Sequence, residues 1–139
     1  MTFNDFASWL LRSRLNWMMG ADTMLIRVTG RKTGRELSLP VNFHRDGAEL
    51  WVISSRNRTW WRNLKENPRA RVWIAGREMS ACAELVLDEP AVVERLSKLC
   101  TEKKWLAKAL HIGLDEGGVP QLADLQREAR ERMFVHLRN

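Results

Sequence analysis

The sequence predicts a small antiparallel β-barrel decorated with helices, mainly β within the α+β class, and three observations predict it. Stretches on either side of residue 60 alternate apolar and polar side chains with period two. Two tight hairpin signals, Arg45-Asp46-Gly47 and Ala75-Gly76, join members of these stretches. From Asp88 the apolar spacing changes to the threes and fours of a helix.

Each element follows in order. Residues 3–19 read as an amphipathic helix. Asp5, Ser8, Arg12 and Asn16 fall on one arc at ~100° per residue, and Phe3, Phe6, Ala7, Leu10, Leu11, Trp17 and Met18 on the other. Thr2 suits the N-cap and Gly20 the stop. The apolar arc is expected to pack on protein; the alternative is peripheral contact with a membrane, with Arg12 and Arg14 beside the Trp- and Met-rich face. Thr23–Thr29, Arg35–His44 and Glu49–Ser54 read as strands. Pro40 cannot donate to a ladder and marks an edge or a bulge.

Thr59–Glu66 is a short helix stopped by Asn67-Pro68. Arg69–Ile74 and Arg77–Leu87 form the second hairpin. Asp88-Glu89-Pro90 opens a long helix ending near Gly113, and Pro120 starts another. Met133–Leu137 closes the sheet. The expected organisation is one domain over 1–139: helix 3–19, barrel core 23–87, helical segment 90–132 and closing strand 133–137.

At 139 residues the chain suits one domain, since two halves would each be too small for a good core. Apolar residues at 45% and charged residues at 29% argue against disorder. Lys plus Arg is 23 against 17 Asp plus Glu, a net charge of +6. That balance favours an anionic partner: a phosphorylated small molecule, nucleic acid or a membrane surface. Cys82 and Cys100 cannot build a disulfide scaffold, and they read as reduced thiols of a cytoplasmic protein. No apolar run reaches the ~18 residues of a spanning helix. The N-terminus lacks the basic flank of a signal peptide. His44, His111 and His136 lack metal-ligand spacing, so no metal site is expected. There is no tyrosine, so no mechanism here uses one.

Two constellations carry chemistry. Thr29-Gly30-Arg31-Lys32-Thr33-Gly34-Arg35 sets three cations and two glycines in one turn between strands. Glycines let main-chain N–H groups turn inward as an anion nest. Arg31 and Arg35 can grip phosphate or carboxylate in a fork, and Lys32 adds a point charge. The spacing is not that of a Walker loop, and a solvated basic hairpin would look the same at this level. The second run is Ser54 to Leu64, SSRNRTWWRNL. Its hydroxyls, Arg56, Arg58 and Arg62, and the start of a short helix suit an anion. Trp60 and Trp61 add flat apolar surface. A structural Trp pair reads the same way, and aromatics beside cations also occur in single-strand nucleic-acid sites.

Together, "TGRKTGRELSLPV", the DG hairpin, "ELWVISS" and "TWWRNLKENPRARV" resemble the deazaflavin-dependent nitroreductase family, relatives of the split-barrel flavin-binding proteins. The resemblance runs from about Met24 to Val86. It implies a six-stranded split β-barrel. It also implies an oxidoreductase that passes hydride from reduced coenzyme F420 to a quinone, nitroaromatic or conjugated carbonyl. Carried over by residue, Gly30, Arg31, Lys32 and Arg35 match the turn holding the phosphate and acidic tail of the cofactor. Pro40 and Val41 match the strand lining the ring, and Ser54 and Ser55 the polar end of the third strand; Arg56, at a strand end flanking the same hairpin pair, is expected to converge with Arg31, Lys32 and Arg35 on one cleft. Trp60, Trp61 and Asn63 match the helix facing the cofactor.

The chemistry then belongs to the cofactor, and no catalytic side chain is assigned. Two other classes compete. One is a protein binding flavin mononucleotide, or a non-catalytic carrier of cofactor or lipid. The other is a nucleic-acid or membrane-surface module driven by charge; nucleic acid is not the expected partner. Haem would require His44, His111 or His136 as axial ligand. Related split barrels pair, so a homodimer is expected.

Overall fold

Strand β1 (Asp22–Thr29) begins the described part of a computed structural model, which covers residues 22–139. The helix expected over 3–19, with its membrane alternative, lies outside the described residues. β2 (Glu36–Asp46), β3 (Glu49–Ser55), β4 (Arg69–Ile74), β5 (Arg77–Val86) and β6 (Arg132–Arg138) complete the strands. They close in the order β1-β2-β3-β6-β5-β4, with β4 pairing back antiparallel to β1. This is the antiparallel barrel that the two hairpin signals predict.

Period two decides which side chains face inward. Ile26 and Val28 of β1, Phe43 of β2, Val52 of β3 and Val72 of β4 are buried. Arg27, Arg45 and Arg71 between them stay exposed or half-exposed. The β2–β3 turn is Gly47-Ala48, because Asp46 pairs with Glu49. Only Gly47 takes a positive φ there, at 62°. The β4–β5 turn puts both Ala75 (φ 49°) and Gly76 (φ 80°) in the left-handed region, as a two-residue hairpin of primed type requires. Pro40 stands opposite Leu25 of β1. β3 pairs with β2 only from Phe43 to Asp46. Among the described residues, Pro40 therefore sits where β2 has one neighbour, the edge-like position in which a residue without an N–H is tolerated.

The described residues fall into two compact units: 22–53 with 59–85 and 135–139, and 54–58 with 86–134. The first unit holds the short helix α1 (Asn63–Glu66) and the second the other helices described. α2 (Glu89–Glu102) is capped by Asp88, whose carboxylate accepts from the Ala91 N–H at 3.2 Å, with Pro90 in the first turn. It buries Val92, Leu96, Leu99 and Cys100. The long helix expected to reach Gly113 is broken at Lys103 (φ −126°, ψ 91°), where α3 (Lys104–Ala109) starts afresh. Thr101 helps end it by donating its hydroxyl back to the Ser97 carbonyl at 2.7 Å. α4 (Leu122–Glu131) follows the loop as expected. Among the described residues no helix is long and apolar enough to cross a membrane.

Candidate functional site

The turn between β1 and β2 is built from its own glycines. The Gly30 N–H donates to the Arg35 carbonyl at 2.6 Å, and the Gly34 N–H donates to the Gly30 carbonyl at 2.9 Å. A Cβ on Gly30 would lie 2.9 Å from the Arg35 carbonyl oxygen, so no side chain fits there. Gly34 has φ 72°, which favours glycine. The Arg35 N–H is used locally, donating to Thr33 Oγ1 at 3.3 Å.

Trp60–Arg62 forms one 3-10 turn and runs directly into α1 (Asn63–Glu66). Asn63 is 4% exposed, and its side chain joins this segment to the basic turn. Its Oδ1 accepts from the Arg31 N–H at 2.9 Å and from Arg31 Nη1 at 3.2 Å. Its Nδ2 donates to the Trp60 carbonyl at 3.0 Å. Arg31 Nη1 also reaches the Thr59 carbonyl at 3.4 Å.

These bonds revise the expected anion nest. The N–H groups of Gly30, Arg31, Gly34 and Arg35 are committed inside the protein. What the turn offers outward is side-chain charge. Lys32 and Arg35 are exposed, with no side-chain bond among the described residues, and Arg31 keeps its Nε and Nη2. Asn63, expected to face a cofactor, holds the turn. Trp60 and Trp61 are 8% and 3% exposed, so they are core residues that could offer a ligand only an edge. Arg62 and Lys65 cover the Trp61 ring, at 5.1 and 5.8 Å from its centroid. Thr59 makes no side-chain cap bond to this turn.

Pro40 and Val41 are half-buried on β2, opposite Leu25 and Met24 of β1. Ser54, Ser55 and Arg56 belong to the helical unit. Ser54 Oγ donates to the Ser55 carbonyl at 3.2 Å, and Ser55 Oγ accepts from the Asn57 N–H at 3.3 Å. Arg56 is bonded within the fold. Its Nη2 donates to the Leu87 carbonyl at 2.6 Å and the Ala129 carbonyl at 2.9 Å. Its Nε reaches the carbonyls of Arg132 and Ala129 at 3.0 and 3.1 Å. Through Nε and Nη2 this guanidinium fastens the ends of β5, α4 and β6.

The histidines also have structural places. His44 is 2% exposed, and His136 stacks flat on Trp51 at 3.8 Å with its Nε2 2.9 Å from Glu49 Oε2. His111 sits exposed in a turn at φ 56°. Among the described residues no three His, Cys, Asp or Glu groups could hold a metal ion. Sequence reasoning missed Thr33, although a threonine between the lysine and the second glycine of a turn is an ST-turn signal. It also missed the Thr59 carbonyl, which no residue type announces.

Coenzyme F420 carries a phosphodiester and glutamate carboxylates. A turn with three cationic side chains, two of them unengaged, fits such a polyanion by the chemistry of its donors. The fold agrees with solved structures. An F420-H2 dependent reductase (FDR-A) is similar over 82% of this chain and 93% of its own, at 18% identity and a TM-score of 0.53. A putative pyridoxamine 5'-phosphate oxidase from Listeria innocua is similar over 93% of this chain and 92% of its own, at 14% identity and 0.56. A domain-swapped dimer is similar over 99% of this chain and 100% of its own, at 15% identity and 0.55. At these identities the likeness shows the fold: a split barrel. The sequence itself carries the family, because residues 13–105, which include the basic turn, Asn63 and the first five strands, match the F420H(2)-dependent quinone reductase model. The chain belongs to the F420H(2)-dependent quinone reductase family.

Proposed function

We propose that this protein takes hydride from reduced F420 and passes it to a small-molecule acceptor, a quinone first, with the Gly30–Arg35 turn holding the anionic end of the cofactor. Family membership makes it an F420-dependent reductase and coenzyme F420 its cofactor. Bound F420H2 supplies the hydride, so the protein needs no nucleophile or acid–base pair. Lys32, Arg35 and the remaining donors of Arg31 bind and orient the phosphodiester. Asn63 keeps Arg31 in place through the two bonds described above. Pro40 and Val41 present a half-buried apolar strand surface for the ring and exclude water from it. Arg56, Trp60 and Trp61 support the scaffold rather than the ligand.

The observation that carries this reading is a rigid turn whose unengaged cations point outward. Nitroaromatics and conjugated carbonyls belong among the acceptors on the same chemistry. The protein is read as a homodimer, in line with its likeness to a domain-swapped dimer, and light scattering of the purified chain checks that. The deciding experiment is a side-by-side titration with F420 and flavin mononucleotide, followed by addition of a quinone to the F420H2 complex. Binding of F420 and quinone-dependent loss of F420H2 are expected. Binding of flavin mononucleotide in place of F420 would overturn the reading.

A further inference from the structure

Within the helical unit, α2 packs on α4. α2 begins beside the end of α4, because Arg56 Nη2 donates both to the Leu87 carbonyl, just before α2, and to the Ala129 carbonyl, in the last turn of α4. The inner sides of the pair bury Val92 and Leu96 of α2 and Leu125 and Ala129 of α4. On the outer side a groove of about 480 Å³ runs between them. Pro90 and Val93 line one wall, and Leu122 and Gln126 the other. Leu122 is 59% exposed, far more than an apolar side chain with a partner in the core. Leu122, Gln126 and Arg130 recur every four residues, so they form one stripe ~12 Å long.

Glu89 and Arg130 stand at the end of the groove where α2 starts and α4 stops. Each suits the electrostatics of its own helix end. That accounts for the charges but not for the apolar walls beside them. Neither charge has a counter-charge on its own helix: three and four residues beyond Glu89 stand Val92 and Val93, and three and four before Arg130 stand Arg127 and Gln126. Both are exposed, and neither makes an ion pair or side-chain hydrogen bond among the described residues. The neighbouring cations differ, since Arg127 pairs with Asp124 at 2.8 Å and Arg132 with Glu128 at 2.7 Å. An acid on one wall, a base on the other and apolar side chains on both make a surface that is its own complement. A two-fold axis running along the groove lays α2 against the partner's α4. Glu89 then meets the partner's Arg130, and Val93 the partner's Leu122, each contact occurring twice.

We propose that the α2–α4 groove is the surface through which two copies of this chain associate. The inference rests on the homodimer reading given under the proposed function and assigns that dimer its face. The apolar walls supply the burial, and the two Glu89–Arg130 pairs fix the register and the direction of the partner. Six residues line the groove, against ~20–30 a side in a standard interface. The dimer is therefore a weak, exchanging one, with a dissociation constant on the order of 10 µM.

The test is sedimentation velocity of the full chain from about 1 to 300 µM, a range that brackets such a constant. Wild type should pass from monomer to dimer within it. Glu89→Arg alone and Arg130→Glu alone should each raise the dissociation constant about tenfold or more, because like charges then face each other across the axis. Mixed in equal amounts, the two variants should associate about as tightly as wild type, because each contact across the axis again joins opposite charges. That recovery cannot come from misfolded chains. Leu122→Ser should weaken wild-type association about tenfold. A dimer indifferent to both reversals, or reversed variants that stay apart when mixed, overturns this face while leaving the homodimer standing. A wild type that stays monomeric over the whole range overturns the homodimer and this inference with it, and leaves the F420 chemistry as it is.

Discussion

Asn63 Oδ1 accepts two hydrogen bonds from a single residue, the main-chain N–H of Arg31 at 2.9 Å and its guanidinium Nη1 at 3.2 Å. One buried amide thus fixes both the path of the turn and the direction of its first cation. Replacing it by Ala leaves the Arg31 main-chain N–H without its partner and takes one of two bonds from the Trp60 carbonyl, which keeps the main-chain N–H of residue 63. Loss of a partner for a buried polar group costs about 1–3 kcal/mol. Asn63→Ala should lower unfolding stability by that amount in urea titration. It should weaken F420 binding as well, because Arg31 loses its anchor.

Lys32 and Arg35 are expected to act on the ligand alone. Their side chains make no bond within the described fold, so Lys32→Ala/Arg35→Ala should leave the melting temperature in place. Two lost charge-assisted bonds should weaken F420 binding by roughly 2–4 kcal/mol. Isothermal titration calorimetry reads this directly, and unchanged affinity in the double variant would refute the assignment.

Arg56 should behave in the opposite way. Its fork spans the carbonyls of Leu87, Ala129 and Arg132. Arg56→Ala is expected to cost on the order of 2–4 kcal/mol of stability. Lysine cannot reproduce the fork, so Arg56→Lys should restore only a small part. Binding of F420 to the folded fraction should stay close to that of wild type. Denaturation curves together with binding data distinguish the two effects.

Acid should loosen the loop before α4. Asp124 is held below its ordinary value of 3.8, first by the Gly113 N–H donating to Oδ2 and then by Arg127. A carboxylate with a depressed folded-state pKa adds stability that is present above its unfolded value. That stability is lost as pH falls below about 4, through the folded value. Asp124→Asn should flatten this acid limb in a stability–pH profile.

Alkali should act through Cys100. Burial first, and then Glu128, push this thiol up from 9.0 to about 11. The folded state keeps the thiol neutral where the unfolded chain would ionise it. Stability should therefore fall between pH 9 and 11, and Cys100→Ala should remove that fall. Iodoacetamide at pH 8 should label exposed Cys82 and spare Cys100 in the native protein, as mass spectrometry would show.

Much of the barrel was legible because period two and turn chemistry act locally. Arg69–Ile74 was placed at its true ends by Pro68 on one side and Ala75-Gly76 on the other. The basic turn was legible for the same reason, since its glycines and cations lie within seven residues. The break at Lys103 was hidden because the apolar spacing runs on through it, and the Thr101 back-bond leaves no trace in periodicity. The parts played by Arg56 and Asn63 were hidden for a different reason. Arg56 meets partners 31 to 76 residues away, and Asn63 meets Arg31 at a separation of 32. Residue type announces a donor or an acceptor, but only tertiary packing decides whether it is used inside the protein or offered outside. The same holds for Trp60 and Trp61, whose large rings the core had already taken.

The closure of the turn upon itself has a kinetic consequence. With Gly30 pressed against the Arg35 carbonyl and Arg31 clasped by Asn63, the loop has settled its shape before any ligand arrives. Complex formation then needs no slow ordering step. Encounter between a cationic surface and a polyanion proceeds at a rate set by diffusion and ionic strength. Variants that remove a cation from this turn will accordingly slow the cofactor's arrival as well as hasten its departure, and the slower arrival will fade as salt is raised.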